Sequence, residues 1–159
     1  NFSRLDEAAS KLADLNDGLQ STVRLIHPLC QGRIEIGEAY GPLPLLLCRP
    51  GELNQVFLNL LTNAIQAIPG SGWVWVTSAL AGDHVTITIR DSGSGMDAAT
   101  LAKLGEPFFT TKPVGSGTGL GLAVGLAIVA RHQGRVRFES EPGRGTTASI
   151  ELPLTHAPA

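Results

Sequence analysis

Apolar residues recur at three- and four-residue spacing in three stretches of the chain, and this spacing predicts amphipathic helices. The clearest stretch spans residues 52–68 and stops at Pro69-Gly70. A second spans residues 120–132, although it contains two glycines. The first 25 residues show the same spacing, interrupted at residues 16–18, and therefore predict two helical pieces.

Alternating apolar and polar positions between these helices predict strands. Residues 73–78 and 85–90 alternate on either side of Ala81-Gly82-Asp83, which predicts an antiparallel hairpin. Other strands are predicted at residues 33–36, 45–48, 135–140 and 146–152, the last two as a second antiparallel pair. Helices segregated from a mainly antiparallel sheet favour an α/β two-layer sandwich over a Rossmann sheet.

The composition is that of one folded domain without a strong charge. The chain has 159 residues, of which 43% are hydrophobic and 16% charged, and its formal net charge is -2. This balance disfavours a disordered chain and disfavours nonspecific binding to nucleic acid. The apolar run at residues 120–130 is shorter than the roughly 20 residues that cross a bilayer, so we expect no membrane contact by this domain.

Neither cysteine belongs to a metal site or a disulfide framework. Cys30 and Cys48 stand apart, without a CxxC spacing or a histidine companion. We therefore expect two buried or bystander thiols and no zinc site.

Glycine departs most from ordinary usage. Eight of the 19 glycines fall between residues 91 and 125, and the densest run, residues 115–122, leads into a predicted helix. Glycines let a polyanion approach bare amides and a helix start adds its dipole, so this run is typical of a phosphate site. It lacks both the P-loop pattern and the dinucleotide pattern, and a plain flexible loop remains the alternative.

Three polar residues supply candidate ligand groups. Asn59 and Asn63 lie one turn apart on the polar side of the helix at 52–68, and amide oxygens suit Mg²⁺; solvated asparagines are the alternative. Asp91 ends a predicted strand, and its carboxylate can accept a hydrogen bond from the exocyclic amine of adenine. A turn aspartate is the alternative there.

Five segments, taken together and in order, resemble the ATP-binding catalytic domain of bacterial sensor histidine kinases, a member of the GHKL superfamily. The resemblance covers about residues 20–154 and is closest, at Phe-Phe-Thr-Thr-Lys, to sensors of the nitrogen-regulation type. It implies the Bergerat fold, with a mixed, mainly antiparallel sheet and helices on one face. The five segments are the N box (55–67), the first glycine box (91–96), the F box (106–112), the second glycine box (117–122) and the third glycine box (145–147).

The resemblance also implies roles for individual residues. Asn63, with Asn59 nearby, would coordinate Mg²⁺, and Asp91 would recognise adenine. Lys112 would lie in a mobile lid and reach the β- or γ-phosphate, where its charge would favour transfer; a solvated loop lysine is the alternative. The catalytic pair would be Asn59 and Lys112. The implied ATP-binding set is Asn59, Asn63, Asp91, Gly93, Gly95, Met96, Phe108, Lys112, Gly117, Thr118, Gly119, Leu120, Gly121, Leu122 and Thr146.

Two departures from the family pattern are informative. ATP-hydrolysing relatives carry a glutamate where this chain has Asn59, and an amide cannot act as the general base that activates water. Asn59 therefore argues for phosphoryl transfer to a side chain over hydrolysis. Histidine kinases also often have an aspartate just before the N box, where this chain reads Cys48-Arg49-Pro50.

The phosphoacceptor is expected to lie outside this sequence. None of the four histidines is a helical histidine followed by an acidic residue. We expect residues 1–19 to be a remnant of the dimerisation helix and linker, 20–154 the catalytic domain and 155–159 a tail. The implied partners are the dimerisation domain of the same parent protein and a response-regulator receiver domain, in the cytoplasm. The alternatives are a serine/threonine kinase of the anti-sigma-factor type and a nucleotide sensor without transfer activity.

Overall fold

The structure is a computed structural model that describes residues 10–104 and 120–154. Lys11–Ala13, predicted to be helical, form a short strand instead, and a 3-10 turn at His27–Cys30 follows the first helix. The elements of this described part are β1 (Lys11–Ala13), α1 (Leu15–Ile26), β2 (Ile34–Tyr40), β3 (Leu46–Cys48), α2 (Pro50–Gln66), β4 (Gly72–Ala81), β5 (His84–Asp91), α3 (Ala98–Ala102), α4 (Leu120–Arg131), β6 (Arg135–Ser140) and β7 (Thr146–Pro153).

Five strands form one sheet in the order β2-β4-β5-β7-β6. Strands β2 and β4 run parallel, and the other neighbours are antiparallel. The two predicted hairpins, β4 with β5 and β6 with β7, are confirmed. Strands β2 and β3, on either side of residues 41–44, do not pair with each other. Strand β2 pairs with β4, and β3 forms a separate two-stranded sheet with β1.

The helices cover one face of the five-stranded sheet. On β4, Val74 and Val76 are fully buried, whereas Trp73 and Trp75 point to the opposite face and are exposed. Helix α2 lies at the centre of the helical layer, where it contacts α1, α4 and the two central strands β4 and β5. This is the expected two-layer sandwich with a mixed, mainly antiparallel sheet.

Helix α1 is continuous where the sequence predicted a break. Asp14 caps it, since its Oδ1 accepts a hydrogen bond from the backbone N–H of Asn16 at 2.9 Å. Gly18 lies inside the helix at its contact with α2, and a Cβ there would overlap the side chain of Asn54. The glycine thus marks close helix packing, and the prediction of two helical pieces divided at residues 16–18 was wrong.

The expected domain boundary between residues 19 and 20 falls within α1. Leu15 and Leu19 before it and Val23 and Ile26 after it are buried in one core. Residues 15–19 are therefore part of the folded domain, a correction to the expectation that they belong to a separate linker.

One helix was not predicted. Helix α3 has five residues and is capped by Asp97, whose Oδ1 accepts from the N–H of Thr100 at 2.8 Å.

In residues 10–104 and 120–154, no helix is long and apolar enough to cross a membrane.

Candidate nucleotide site

Asp91 lies at the end of β5 and is only 5% exposed. Its Oδ1 accepts hydrogen bonds from the backbone N–H of Gly93 at 2.8 Å and of Thr146 at 3.3 Å. Among the described residues, no hydrogen bond reaches Oδ2. One carboxylate oxygen is thus held by the backbone, while the other remains available to a donor on a ligand.

Burial raises the pKa of Asp91, and the hydrogen bonds from Gly93 and Thr146 act in the opposite direction. Ionising this side chain in its enclosed position therefore costs free energy. Such a cost is typical of a group retained for what it binds.

Three glycines around Asp91 occupy positions where a side chain would not fit. A Cβ on Gly93 would lie 2.5 Å from the carbonyl oxygen of Ala67 at the end of α2. Gly95 has φ +71° and Gly145 has φ +74°, and a Cβ on either would overlap a backbone carbonyl, that of Glu141 or of Asp91. The first and third glycine boxes, 50 residues apart in sequence, are therefore in close backbone contact.

Thr146 and Met96 are joined through Ser140, which the sequence reasoning missed. The Ser140 hydroxyl donates its one proton to the carbonyl of Gly145 at 2.9 Å. It therefore accepts from Thr146 Oγ1 at 2.8 Å and from the N–H of Met96 at 2.8 Å. The only sequence signal for Ser140 was a polar residue at the end of a predicted strand next to the third glycine box.

Helix α2 meets the start of α4 at Asn59. The Asn59 Nδ2 donates to the carbonyl of Gly121 at 2.7 Å, and its Oδ1 accepts from Gln55 Nε2 at 2.8 Å. Asn63, one turn later, is half-buried and has an interaction of its own within the fold. The structure therefore brings the N box beside the second glycine box, as a shared site requires, and adds Gln55 to the residues found from sequence.

The remaining predicted residues fall into two groups. Leu120 is the first residue of α4, and Leu122 packs partly buried against the core. The others lie outside the described residues, so their roles remain predictions: Phe108, Lys112, Gly117, Thr118 and Gly119.

His132 is buried and holds the far end of α4 against α2. Its Nδ1 donates to the carbonyl of Ile128 at 2.8 Å, and its Nε2 accepts from the N–H of Arg49 at 3.1 Å. Both ring nitrogens are used within the fold, which gives this histidine a structural role.

Among the described residues, the carboxylates, histidines and cysteines do not form a metal site by themselves. Within residues 10–104 and 120–154, no three of these side chains are grouped so that they could hold a metal ion. A divalent ion at the site would depend on amide oxygens and on oxygens of the ligand.

The sequence matches a known family model over most of the folded domain. The model for histidine kinase-, DNA gyrase B- and HSP90-like ATPases matches residues 48–156. This span includes all five boxes.

Curated and solved relatives agree with this match. Sporulation kinase E of Bacillus subtilis (strain 168) is 49% identical over 113 residues, covering 70% of this chain and 15% of that protein. The sensor histidine kinase ZraS of Escherichia coli (strain K12) is 39% identical over 148 residues, covering 92% and 31% respectively. The structure of full-length ShkA in complex with AMPPNP aligns with a TM-score of 0.82 and 31% identity, covering 94% of this chain and 32% of that one. The chain thus spans less than a third of the length of these relatives.

Proposed function

This chain belongs to the family of histidine kinase-, DNA gyrase B- and HSP90-like ATPases, and from that we propose that it transfers the γ-phosphoryl group of ATP to a histidine on a separate dimerisation domain. It is an ATP-binding catalytic domain of the sensor histidine kinase type. The observation that carries the proposal is the buried Asp91 carboxylate, with one oxygen held by backbone N–H groups and the other without a partner among the described residues.

In the proposed complex, Asp91 Oδ2 accepts a hydrogen bond from the adenine amine. Gly93 and Gly95 let this loop pack closely on the backbone of Ala67 and Glu141, because neither position tolerates a side chain, and so fix the shape of the proposed pocket. Thr146 supports the pocket from behind, since its N–H bonds Asp91 and its hydroxyl bonds Ser140. Met96 follows on the same loop.

Asn63 and Asn59 suit Mg²⁺ by the chemistry of their amide oxygens. Mg²⁺ usually keeps several waters and takes one or two protein oxygens together with nucleotide phosphates, so two asparagines one turn apart are sufficient. Bound between them and the nucleotide, the ion would neutralise phosphate charge. The start of α4 would lie near the phosphates, because Asn59 contacts Gly121.

Phosphoryl transfer fits the site better than hydrolysis. Asn59 stands where hydrolysing relatives carry a glutamate, and an amide cannot take a proton from water. A nitrogen of the acceptor imidazole would bond to the γ-phosphorus while the bond to the β,γ-bridging oxygen breaks. ADP would leave with that oxygen, and the imidazole would release a proton to solvent. We assign Lys112, from its position in the F box, to stabilising the charge on the transferred group.

The proposed partners follow from the similarity to sensor histidine kinases. The histidine would come from the dimerisation domain of the parent protein, and a receiver-domain aspartate of a response regulator would then accept the phosphoryl group. Such a reaction draws on cytoplasmic ATP, which would place the domain in the cytoplasm.

Mixing the domain with an isolated dimerisation domain and γ-labelled ATP tests the proposal. We expect label on the dimerisation domain that is lost in acid, as phosphohistidine is. Asn63→Ala should abolish transfer, whereas Asn54→Ala, the same change on the side of α2 that faces α1, should not. Acid-stable label would instead indicate a serine/threonine kinase, and ATP binding without any transfer would indicate a nucleotide sensor.

A further inference from the structure

Gln55 forms the first link of a three-residue relay between α2 and α4. It is exposed on α2, one turn before Asn59, and its Nε2 donates to Asn59 Oδ1 at 2.8 Å. Asn59 Nδ2 then donates to the Gly121 carbonyl at 2.7 Å. The relay joins residues 62 positions apart in the chain.

The direction of the relay depends on the donor at Gln55. A side-chain amide has an acceptor end and a donor end, and Asn59 can bond the Gly121 carbonyl only with its donor end. Because Gln55 supplies an N–H to the Asn59 oxygen, it holds the amide in that orientation. If the amide turned over, two carbonyl oxygens would face each other and the contact would be lost.

Helix α4 lies against α2 where the relay acts. A Cβ on Gly121 would be 3.7 Å from the Asn59 side chain, and a Cβ on Gly125, one turn later, would be 3.9 Å from Val56, both ordinary van der Waals distances. Gly121 is the second residue of α4, so the Asn59 contact holds the first turn of that helix. The N–H groups of this first turn have no hydrogen-bond partner within the helix, unlike those of later turns.

We propose that Gln55 is a positioning residue for the phosphate-binding end of α4. It acts through Asn59, whose amide it orients, and so keeps the first turn of α4 docked on α2 in the absence of nucleotide. The consequence for ATP rests on the function proposed above, whereas the docking itself does not.

Hydrogen exchange on the nucleotide-free domain tests the docking. The reporter is the backbone N–H of Gly125, whose helical partner is the Gly121 carbonyl. We expect Gln55→Leu to speed its exchange by about fivefold, the equivalent of one lost hydrogen bond. Gln55→Glu should do the same, because a carboxylate cannot donate to Asn59. Gln55→Lys, which keeps an N–H donor, should restore slow exchange.

Gln20→Leu on the exposed side of α1 is the matched control and should leave the Gly125 exchange rate unchanged. Unchanged exchange in Gln55→Leu would overturn the proposal. Equal acceleration across α1 and the sheet would also overturn it, because that would indicate general destabilisation.

Calorimetry with Mg-ATP gives the second measurement. Affinity should fall by about threefold to fivefold in Gln55→Leu if the docked turn receives phosphate. Failure of the unaltered domain to bind ATP would contradict the proposed function and leave the exchange result standing. Local acceleration at Gly125 with unchanged ATP affinity would overturn the assignment of the docked turn to phosphate binding.

Discussion

At the scale of single residues, the site is built from groups that cost stability. Asp91 is a buried carboxylate whose pKa is raised by desolvation. Gly95 and Gly145 have positive φ in tight backbone contacts. These three residues lie where a nucleotide is proposed to bind, and a buried carboxylate with a raised pKa is typical of a functional site.

Asp91→Asn should stabilise the nucleotide-free domain at neutral pH while weakening its binding of ATP. The neutral side chain keeps an acceptor for Gly93 and Thr146 and removes the cost of a buried charge. It presents a donor to the adenine amine, so affinity should fall by about tenfold or more. Urea unfolding and calorimetry measure the two effects.

The stabilisation by Asp91→Asn should depend on pH in one direction. The folded-state pKa of Asp91 is raised. The contribution of Asp91 to the stability of the unaltered domain therefore falls as pH rises from its ordinary pKa to its folded-state pKa, and is constant above that. The advantage of the variant should therefore be absent in acid and complete above the raised pKa. An advantage that grows on acidification would contradict this account.

Gly95→Ala should cost more stability than Gly143→Ala, although both glycines have positive φ. A Cβ on Gly143 meets nothing within 4 Å, so only left-handed strain applies, about 1 to 2 kcal/mol. A Cβ on Gly95 would also overlap the carbonyl of Glu141, adding about 1 to 3 kcal/mol. Urea unfolding of the two variants checks this, and equal costs would show that backbone contact at Gly95 is unimportant.

At the scale of elements, the start of α2 lacks a side-chain cap. Arg49 occupies the N-cap position without a side-chain cap bond, and its buried Nε has no hydrogen-bond partner there. Its ion pair with Glu52 is long, at 3.9 Å. In the sequence, this segment departs from the pattern of the family it resembles, and the structure shows that the helix lacks a side-chain cap there.

Arg49→Asn should stabilise the domain by about 1 kcal/mol by capping α2. The backbone N–H of residue 49 would still bond His132, so the contact with α4 is kept. Arg49→Ala removes the same charge but cannot cap, and is the control. If both variants have the same free energy of unfolding, capping is not the cause.

At the scale of the whole molecule, one core joins the helical layer to the sheet and contains both cysteines. Cys30 and Cys48 are buried and free, as expected. Burial raises the pKa of Cys48 to about 11 and raises that of Cys30 as well. Since the thiolate is the reactive form, both thiols should react only when the core opens.

Alkylation of Cys48 should therefore report nucleotide binding through global stability. With ATP at about 100 times its Kd, the folded state gains roughly 2.7 kcal/mol, and labelling should slow about 100-fold. At the same ATP concentration, the Asp91→Asn variant should be protected about tenfold less, or less still, because its affinity is lower. Labelling that ATP does not slow would mean that the thiol becomes accessible by local opening.

Much of the fold and several site residues were predictable because their signals are local. Periodicity alone predicted α2, the two hairpins and α4, whereas residue chemistry offered Asp91 and the asparagines as candidates and the resemblance supplied their predicted roles. The same local signal was misleading at α1, where Asn16, Asp17 and Gly18 suggested a turn. Gly18 is instead a helical residue whose missing side chain makes room for Asn54 of α2.

The sequence by itself determined which elements form and which chemical groups are present for ATP. Only the tertiary structure decided how those groups are held. Ser140 bonds Met96 across 44 positions, Asn59 bonds Gly121 across 62, and Arg49 bonds His132 across 83. Such pairs leave no periodic trace in a sequence, because their partners become neighbours only when the sheet and the helical layer pack together.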